Sequence, residues 1–418
     1  MSGVSDSYRR LFRREVVDIC IFIFIADVVT GVQTPLFPLY TTNLGASLAT
    51  LGLITAVLGL TRLASSVPVG MLSDRLDRKT VLVGGMVTFA MSFALYAVAP
   101  NPGWLVLPRV LQAIGMVATF PLGIAYIGDL VEPRDRGAAI GVYTAAMGSG
   151  FAVGPLIGSW VGSVSGIPAA YACGAVIAVL GAVFGVLRLV RKRPKPADGS
   201  PARKLFDLPS LAALVRQPAM LTACVANAAM TVSMTGAIFT YFPVYARGVG
   251  ISTVAIGSIF AWRSFASASG RIPMGPLAAR LPAHWTIVGV LLLEAGIDIA
   301  ISRTASAGVL TAILILEGIG VGVFFVSAQS AVAEAAAGHN RGAAVGLYWM
   351  AGSLGDLFGP IGLGVVAQTM GLVAVFQVVA GVVVIGAVIV GVLGVMATYR
   401  SSRAGRVSDL TAQRASHQ

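Results

Sequence analysis

Gly70-Met71-Leu72-Ser73-Asp74-Arg75-Leu76-Asp77-Arg78-Lys79 puts five charges into six residues between two apolar runs. No helix carries such a sequence through hydrocarbon, so the stretch reads as a short aqueous turn between two membrane spans. Its excess of Arg and Lys sets it on the cytoplasmic side, and that choice orients every other span.

Composition agrees with a membrane protein. The chain of 418 residues is 56% hydrophobic and 11% charged, with mean hydropathy +0.86. Its 50 glycines suit closely packed membrane helices. The formal charge of +12 does not imply nucleic acid, because the basic residues form no stripe with interleaved aromatics and collect at span ends instead. Cys20, Cys173 and Cys224 all fall in apolar runs, so neither a disulfide framework nor a metal site is expected. The basic N-terminus, Tyr8 to Arg14, runs straight into a full-length apolar run, so no cleavable signal is expected.

Apolar runs of about 20 residues predict an all-α integral membrane protein of twelve spans. Their limits are 17–40, 49–71, 80–98, 104–126, 138–162 and 169–189, then 219–245, 252–277, 285–302, 308–330, 342–366 and 372–396. Of the Lys and Arg residues, only Arg247 and Arg303 fall in the loops that face outward in this scheme. Both termini are therefore expected in the cytoplasm, with the protein in the cell membrane. The longest hydrophilic interruption, 191–217, is rich in Lys, Arg and Pro and reads as a linker between two six-span bundles, 1–190 and 218–418. Adding 205 to Gly31, Phe37, Pro38, Tyr40 and Gly45 gives Gly236, Phe242, Pro243, Tyr245 and Gly250. The same offset carries Arg136-Gly-Ala-Ala-x-Gly141-x-Tyr143 onto Arg341-Gly-Ala-Ala-x-Gly346-x-Tyr348. It also carries Gly150, Gly154 and Pro155 onto Gly355, Gly359 and Pro360. A constant offset over this length predicts two parallel repeats.

The spacing G-x-L-x-D-R-x-x-R-K, from Gly70 through Asp74, Arg75, Arg78 and Lys79, resembles the loop between helices 2 and 3 of the major facilitator superfamily. Asp77 stands where that family usually has glycine. The resemblance implies that Asp74 faces the start of span 11, near Arg341-Gly342, as a gate latch between the halves. Offset by 205, Asp74 becomes Ala279, so the second half has no copy of it. In span 5, Gly150-x-x-x-Gly154-Pro155-x-x-Gly158 resembles the signature of the twelve-span drug:proton antiporters, with Ser159 in place of a final glycine. Glycines four apart also make a groove for a neighbouring helix, so a pure packing role competes with a role in antiport. Pro35-x-x-Pro38 is similar to the drug-exporting branch as well. Arg109-x-x-Gln112 at the start of span 4 resembles a segment whose arginine is implicated in proton coupling in such exporters.

Charges inside spans are functional candidates by default. Asp27 is the candidate proton carrier. Counted from the outer ends of spans 1 and 2, Arg62 lies at the same depth, about 20 Å down at 1.5 Å per residue, and is its expected partner. Arg109 lies ~12 Å higher and ranks second. A charged side chain at such depth costs roughly 2.5–3.5 kcal/mol, so making and breaking an ion pair there can drive proton uptake and release. A static pair that merely fixes the helices is the competing reading. Arg263, Glu317 and Asp356 share one layer and are expected to neutralise one another. Arg271, near the inner end of its span, is expected to snorkel. Glu294 and Asp298, four apart on span 9, find no partner by this reasoning.

The function these readings support is a proton-coupled efflux antiporter of small amphipathic or drug-like compounds, working by alternating access as a monomer without cofactor or metal. The alternative is a proton-coupled uptake symporter for a metabolite. A membrane enzyme is disfavoured, because His284, His339 and His417 lie at span ends or in the tail and no nucleophile–base pair falls within a span.

Overall fold

The computed structural model describes residues 13–132, 135–191, 214, 217–278, 281–335 and 341–416, with no side-chain placement at 74, 272, 275–278, 341–342 and 397–416. Among them every element is helical. Ten helices are long and apolar enough to cross a membrane. The expected spans 17–40 and 252–277 are not among the ten, although both stretches are helical.

Helices α1 (Arg14–Gln33) and α2 (Leu36–Asn43) are separated at Thr34-Pro35, where proline brings no N–H to continue the ladder. Helix α3 (Leu48–Arg75) starts at the Ser47 side chain, which accepts the Thr50 N–H at 3.1 Å. Helix α4 (Arg78–Ala97) starts at Asp77, whose carboxylate accepts the Thr80 N–H at 3.0 Å and its hydroxyl at 2.6 Å. Then follow α5 (Val106–Leu130), α6 (Arg136–Ser165) and α7 (Ile167–Arg188). The basic stretch 191–217 lies outside the described residues except for Arg191, Leu214 and Gln217.

Beyond it, α8 (Pro218–Thr231) runs into a π-helical stretch, Val232–Tyr241, and on into α9 (Phe242–Gly248). Helices α10 (Thr253–Ala278), α11 (Ala283–Ile301), α12 (Ala307–Ala335), α13 (Arg341–Met370) and α14 (Leu372–Ser416) complete the chain. Positive φ occurs only at glycines among the described residues: Gly45 (93°) with Gly250 (88°), and Gly166 (87°) with Gly371 (88°), each pair 205 positions apart.

Helix α1 packs on α6 and is buried over most of its length. The most extensive contacts between the early and late helices are α3 on α13 and α6 on α10. They are tightest at the end that holds Leu48. There Tyr241 Oη donates to Pro360 O (2.9 Å) and lies 3.2 Å from Leu48 O, and Leu48 N–H donates to Gln368 Oε1 at 3.2 Å. Gly52 meets the Pro360 carbonyl and Gly257 meets Ser159, with no room for a Cβ at either glycine. At the opposite end, Met71 and Leu72 of α3 and Trp349 and Met350 of α13 are exposed. The helices are sealed at the rim that holds Leu48.

Candidate functional site

The glycine pattern of α6 is a seam for α1. A Cβ on Gly150 would stand 3.0 Å from Asp27 Cβ and 3.1 Å from Val28 N, and one on Gly154 would stand 2.6 Å from Gly31 Cα. Gly158 lies against Val32 in the same way, and Gly31 in turn meets Pro155. The seam therefore fixes Asp27 against α6, buried, near mid-helix. Ser159, in the position of the expected final glycine, fits against Gly257 of α10.

Arg62 does not pair with Asp27. Its Nη1 donates to Asp356 Oδ2 at 3.0 Å, from α3 across to α13. The reason is the azimuth of α3: one turn before Arg62, Gly59 lets the α13 backbone at Asp356 approach, and a Cβ there would stand 3.0 Å from Asp356 Cβ. Thr235 completes this site, donating from the π-helical stretch to Asp356 Oδ1 at 2.6 Å.

The expected three-residue cluster divides accordingly. Asp356 belongs to Arg62, while Arg263 and Glu317 form an ion pair, with a hydrogen bond from Nη2 to Oε1 at 2.6 Å and Nε 2.5 Å from Oε2. Both are buried, and the Arg263 guanidinium also lies 4.9 Å from the Phe239 ring centre. The α10–α12 packing turns Arg263 towards Glu317 and away from α13, as the close approach of Gly318 to the Arg263 carbonyl shows.

Among the described residues Asp27 has no hydrogen bond or ion pair, and the cation whose field acts on it is Arg271 of α10. Arg271 therefore does not snorkel. Its guanidinium lies over Phe325, 4.9 Å from the ring centre, on the face that α10 turns inward. Arg109 does not approach Asp27 either. It donates to Gln112 Oε1 at 3.2 Å, stacks on Phe37 at 3.9 Å, and forms no ion pair among the described residues. Tyr96 Oη shares the same Gln112 oxygen at 3.3 Å.

At the turn, Arg78 Nε pairs with Asp129 Oδ2 at 2.5 Å and Lys79 Nζ donates to Val186 O at 2.7 Å. The Asp74 side chain and the Arg341-Gly342 side of the expected latch lie outside the described residues. Asp129, and Asp18 with its bond from Arg188 Nη2 at 3.0 Å, escaped the sequence reading. The signal available was an acidic residue at a span end that faces a basic segment.

An apolar cavity of about 350 Å³ opens between α1 and α6, lined by Val16, Cys20, Phe24, Val142, Ala146 and Ser149. Phe24 lies one turn from Asp27, so the cavity and the carboxylate share one seam.

The family model of the Major Facilitator Superfamily matches residues 19–261 and 233–413. The chain belongs to that superfamily. It is similar to an uncharacterized MFS-type transporter of Methanocaldococcus jannaschii, 23% identical over 88% of this chain and 97% of that protein. Multidrug resistance protein 1 of Bacillus subtilis is 30% identical over 42% of this chain and 45% of its own length. The crystal structure of the nucleoside transporter NupG matches the fold with a TM-score of 0.75, at 16% identity, over 90% of this chain and 99% of that one. This member of the superfamily is a multi-pass membrane transporter of small molecules, not an enzyme, and it resembles the drug:proton antiporter branch.

Proposed function

We propose that the protein is a proton-driven antiporter that exports small amphipathic or drug-like compounds by alternating access. The observation that carries this reading is Asp27: a buried carboxylate on α1, pressed against the glycine seam of α6, without a bonded partner among the described residues and in the field of Arg271 of α10. Protonation removes the attraction to Arg271, and loss of the proton restores it, so each step changes the energy of bringing α1 and α10 together. A proton moving inwards supplies about 2.3 kcal/mol per 100 mV. That is comparable with the roughly 2.5–3.5 kcal/mol cost of a charge at depth. The cavity beside Phe24 has the size and apolar lining that suit a drug-like compound.

The whole assembly in this reading is twelve spans in two six-helix bundles, 1–190 and 218–418, joined by the cytoplasmic linker 191–217, with both termini in the cytoplasm. The repeat offset of 205 is supported by the glycine pairs with positive φ. It is supported also by Tyr40 Oη donating to Ala99 O (3.4 Å) and Tyr245 Oη donating to Thr304 O (2.9 Å), two bonds related by the same offset. Asp74 acts as the gate latch at the cytoplasmic rim, and Arg62–Asp356 ties the halves at mid-depth. Everted membrane vesicles test the direction of transport. Substrate should enter them as protons leave. Entry that is independent of the proton gradient, or depends on its opposite sign, would favour an uptake symporter.

A further inference from the structure

Helix α11 carries two buried carboxylates, Glu294 and Asp298, one turn apart on one face. Between them lies Ser233 of the π-helical stretch, whose Oγ is 2.8 Å from Glu294 Oε1 and 3.2 Å from Asp298 Oδ2. A hydroxyl has one proton and can donate it once. With both acids ionised, that one proton would have to serve two negatively charged acceptors, so the arrangement favours a proton on one of the two acids.

Charge counting leads to the same place. Glu317 of α12 and Arg263 of α10 face the pair, but the guanidinium is engaged by Glu317 in an ion pair with one hydrogen bond at 2.6 Å. Helix α14 packs along α11 and brings no charged side chain between Leu372 and Met396. Helix α8, which also packs on α11, brings none either. Three carboxyl groups therefore face one cation in a buried site, which ionised acids alone cannot occupy at reasonable cost. Asp298 Oδ1, fully buried, has no hydrogen-bond partner among the described residues and is the open position.

We propose that Glu294 and Asp298, bridged by Ser233, form a proton-binding site in the C-terminal half, distinct from Asp27, and that the π-helical stretch transmits its occupancy to the Arg62–Asp356 pair. Ser233 faces α11, and two residues on Thr235 faces α13 and donates to Asp356. When the proton leaves, two carboxylates remain on one face, and the single hydroxyl can follow only one of them. The stretch that holds Ser233 must then shift. π-helical turns are rare, concentrate at functional sites and have an α-helical register as a near alternative, so a shift at Ser233 moves Thr235 with respect to Asp356. This site is independent of the direction of transport and of the substrate.

Infrared difference spectroscopy of the purified protein in lipid, across a pH titration, reads the site directly. Wild type and Asp27→Asn should both show the carbonyl band of a buried protonated carboxyl at neutral pH, and the Glu294→Gln/Asp298→Asn double variant should lose it. Ser233→Ala, which keeps both acids, should shift the band frequency because its hydrogen bond is gone. An undiminished band in the double variant overturns the proton site. If that variant does not fold, an unshifted band in Ser233→Ala overturns it equally. For transmission, Asp356→Asn should move the pH midpoint of the band in wild type and leave it in place in a Thr235→Val background. Equal midpoints with and without Asp356→Asn in wild type, or an equal shift in both backgrounds, overturn the transmission.

Discussion

Asp77 shows what one residue outside the family pattern does. Partial burial opposes its charge, but the two Thr80 hydrogen bonds, with Arg191 and Lys79 nearby, hold its carboxyl below the usual carboxylate range. A folded value below the unfolded one gives stability that is complete above the ordinary carboxylate range and is lost as pH falls through the depressed value. Asp77→Ala should therefore cost about 1 kcal/mol through the lost cap. Thermal unfolding across acid pH should show the difference from wild type shrinking as pH falls. A constant difference would mean that the charge of Asp77 plays no part. Single-residue depth was legible in the sequence, since Asp27, Arg62, Arg263, Glu317 and Asp356 could all be placed by counting along their runs. Azimuth was not. Counting fixes how far down a charge lies but not which neighbour its helix face meets, and Arg62 turned to α13 because Gly59 admits that helix.

At the scale of elements, the α6 glycines pack α1 and hold Asp27 against α6, whereas the sequence reading set packing against a role in antiport. Gly154→Leu should expel α1 from its seam, because even a Cβ there would overlap the Gly31 backbone. Gly141→Ala meets open space and should be neutral or stabilising by about 0.5–1 kcal/mol. Detergent-solubilised thermal stability measures both, and equal effects would contradict the seam. Pro155→Leu separates packing from antiport: export lost or protons leaking at normal expression favours the antiport role, and poor expression alone favours packing. Helices were legible because hydrocarbon thickness sets the length of an apolar run. The π-helical stretch was not, since Val232–Tyr241 sits within one unbroken apolar run whose composition does not reveal a change of backbone register.

Across the whole molecule, the rim at Leu48 is closed, and Arg62–Asp356 ties α3 to α13 further along the helices. Breaking that tie with Arg62→Gln or Asp356→Asn should increase labelling of a cysteine placed at Ala49, and exchanging the two charges should reduce it again. Labelling that ignores all three variants would make the pair irrelevant to gating. Asp74→Ala should abolish or strongly reduce transport while the protein stays in the membrane, and wild-type turnover would remove the latch from the account. The proposed two-fold repetition rests on side chains that recur at a fixed offset. The charge pairs were not legible, because none of them recurs: offset by 205, Asp27 becomes Val232 and Arg62 becomes Ser267. The central claim is that Asp27 couples proton flow to substrate flow. Its most direct test is the proton flux that accompanies substrate in proteoliposomes containing wild type or Asp27→Asn. The account predicts substrate-dependent proton movement in wild type, and none in the variant, which should also fail to accumulate substrate against its gradient. Unchanged proton movement and accumulation in Asp27→Asn, with the same pH dependence, would contradict it.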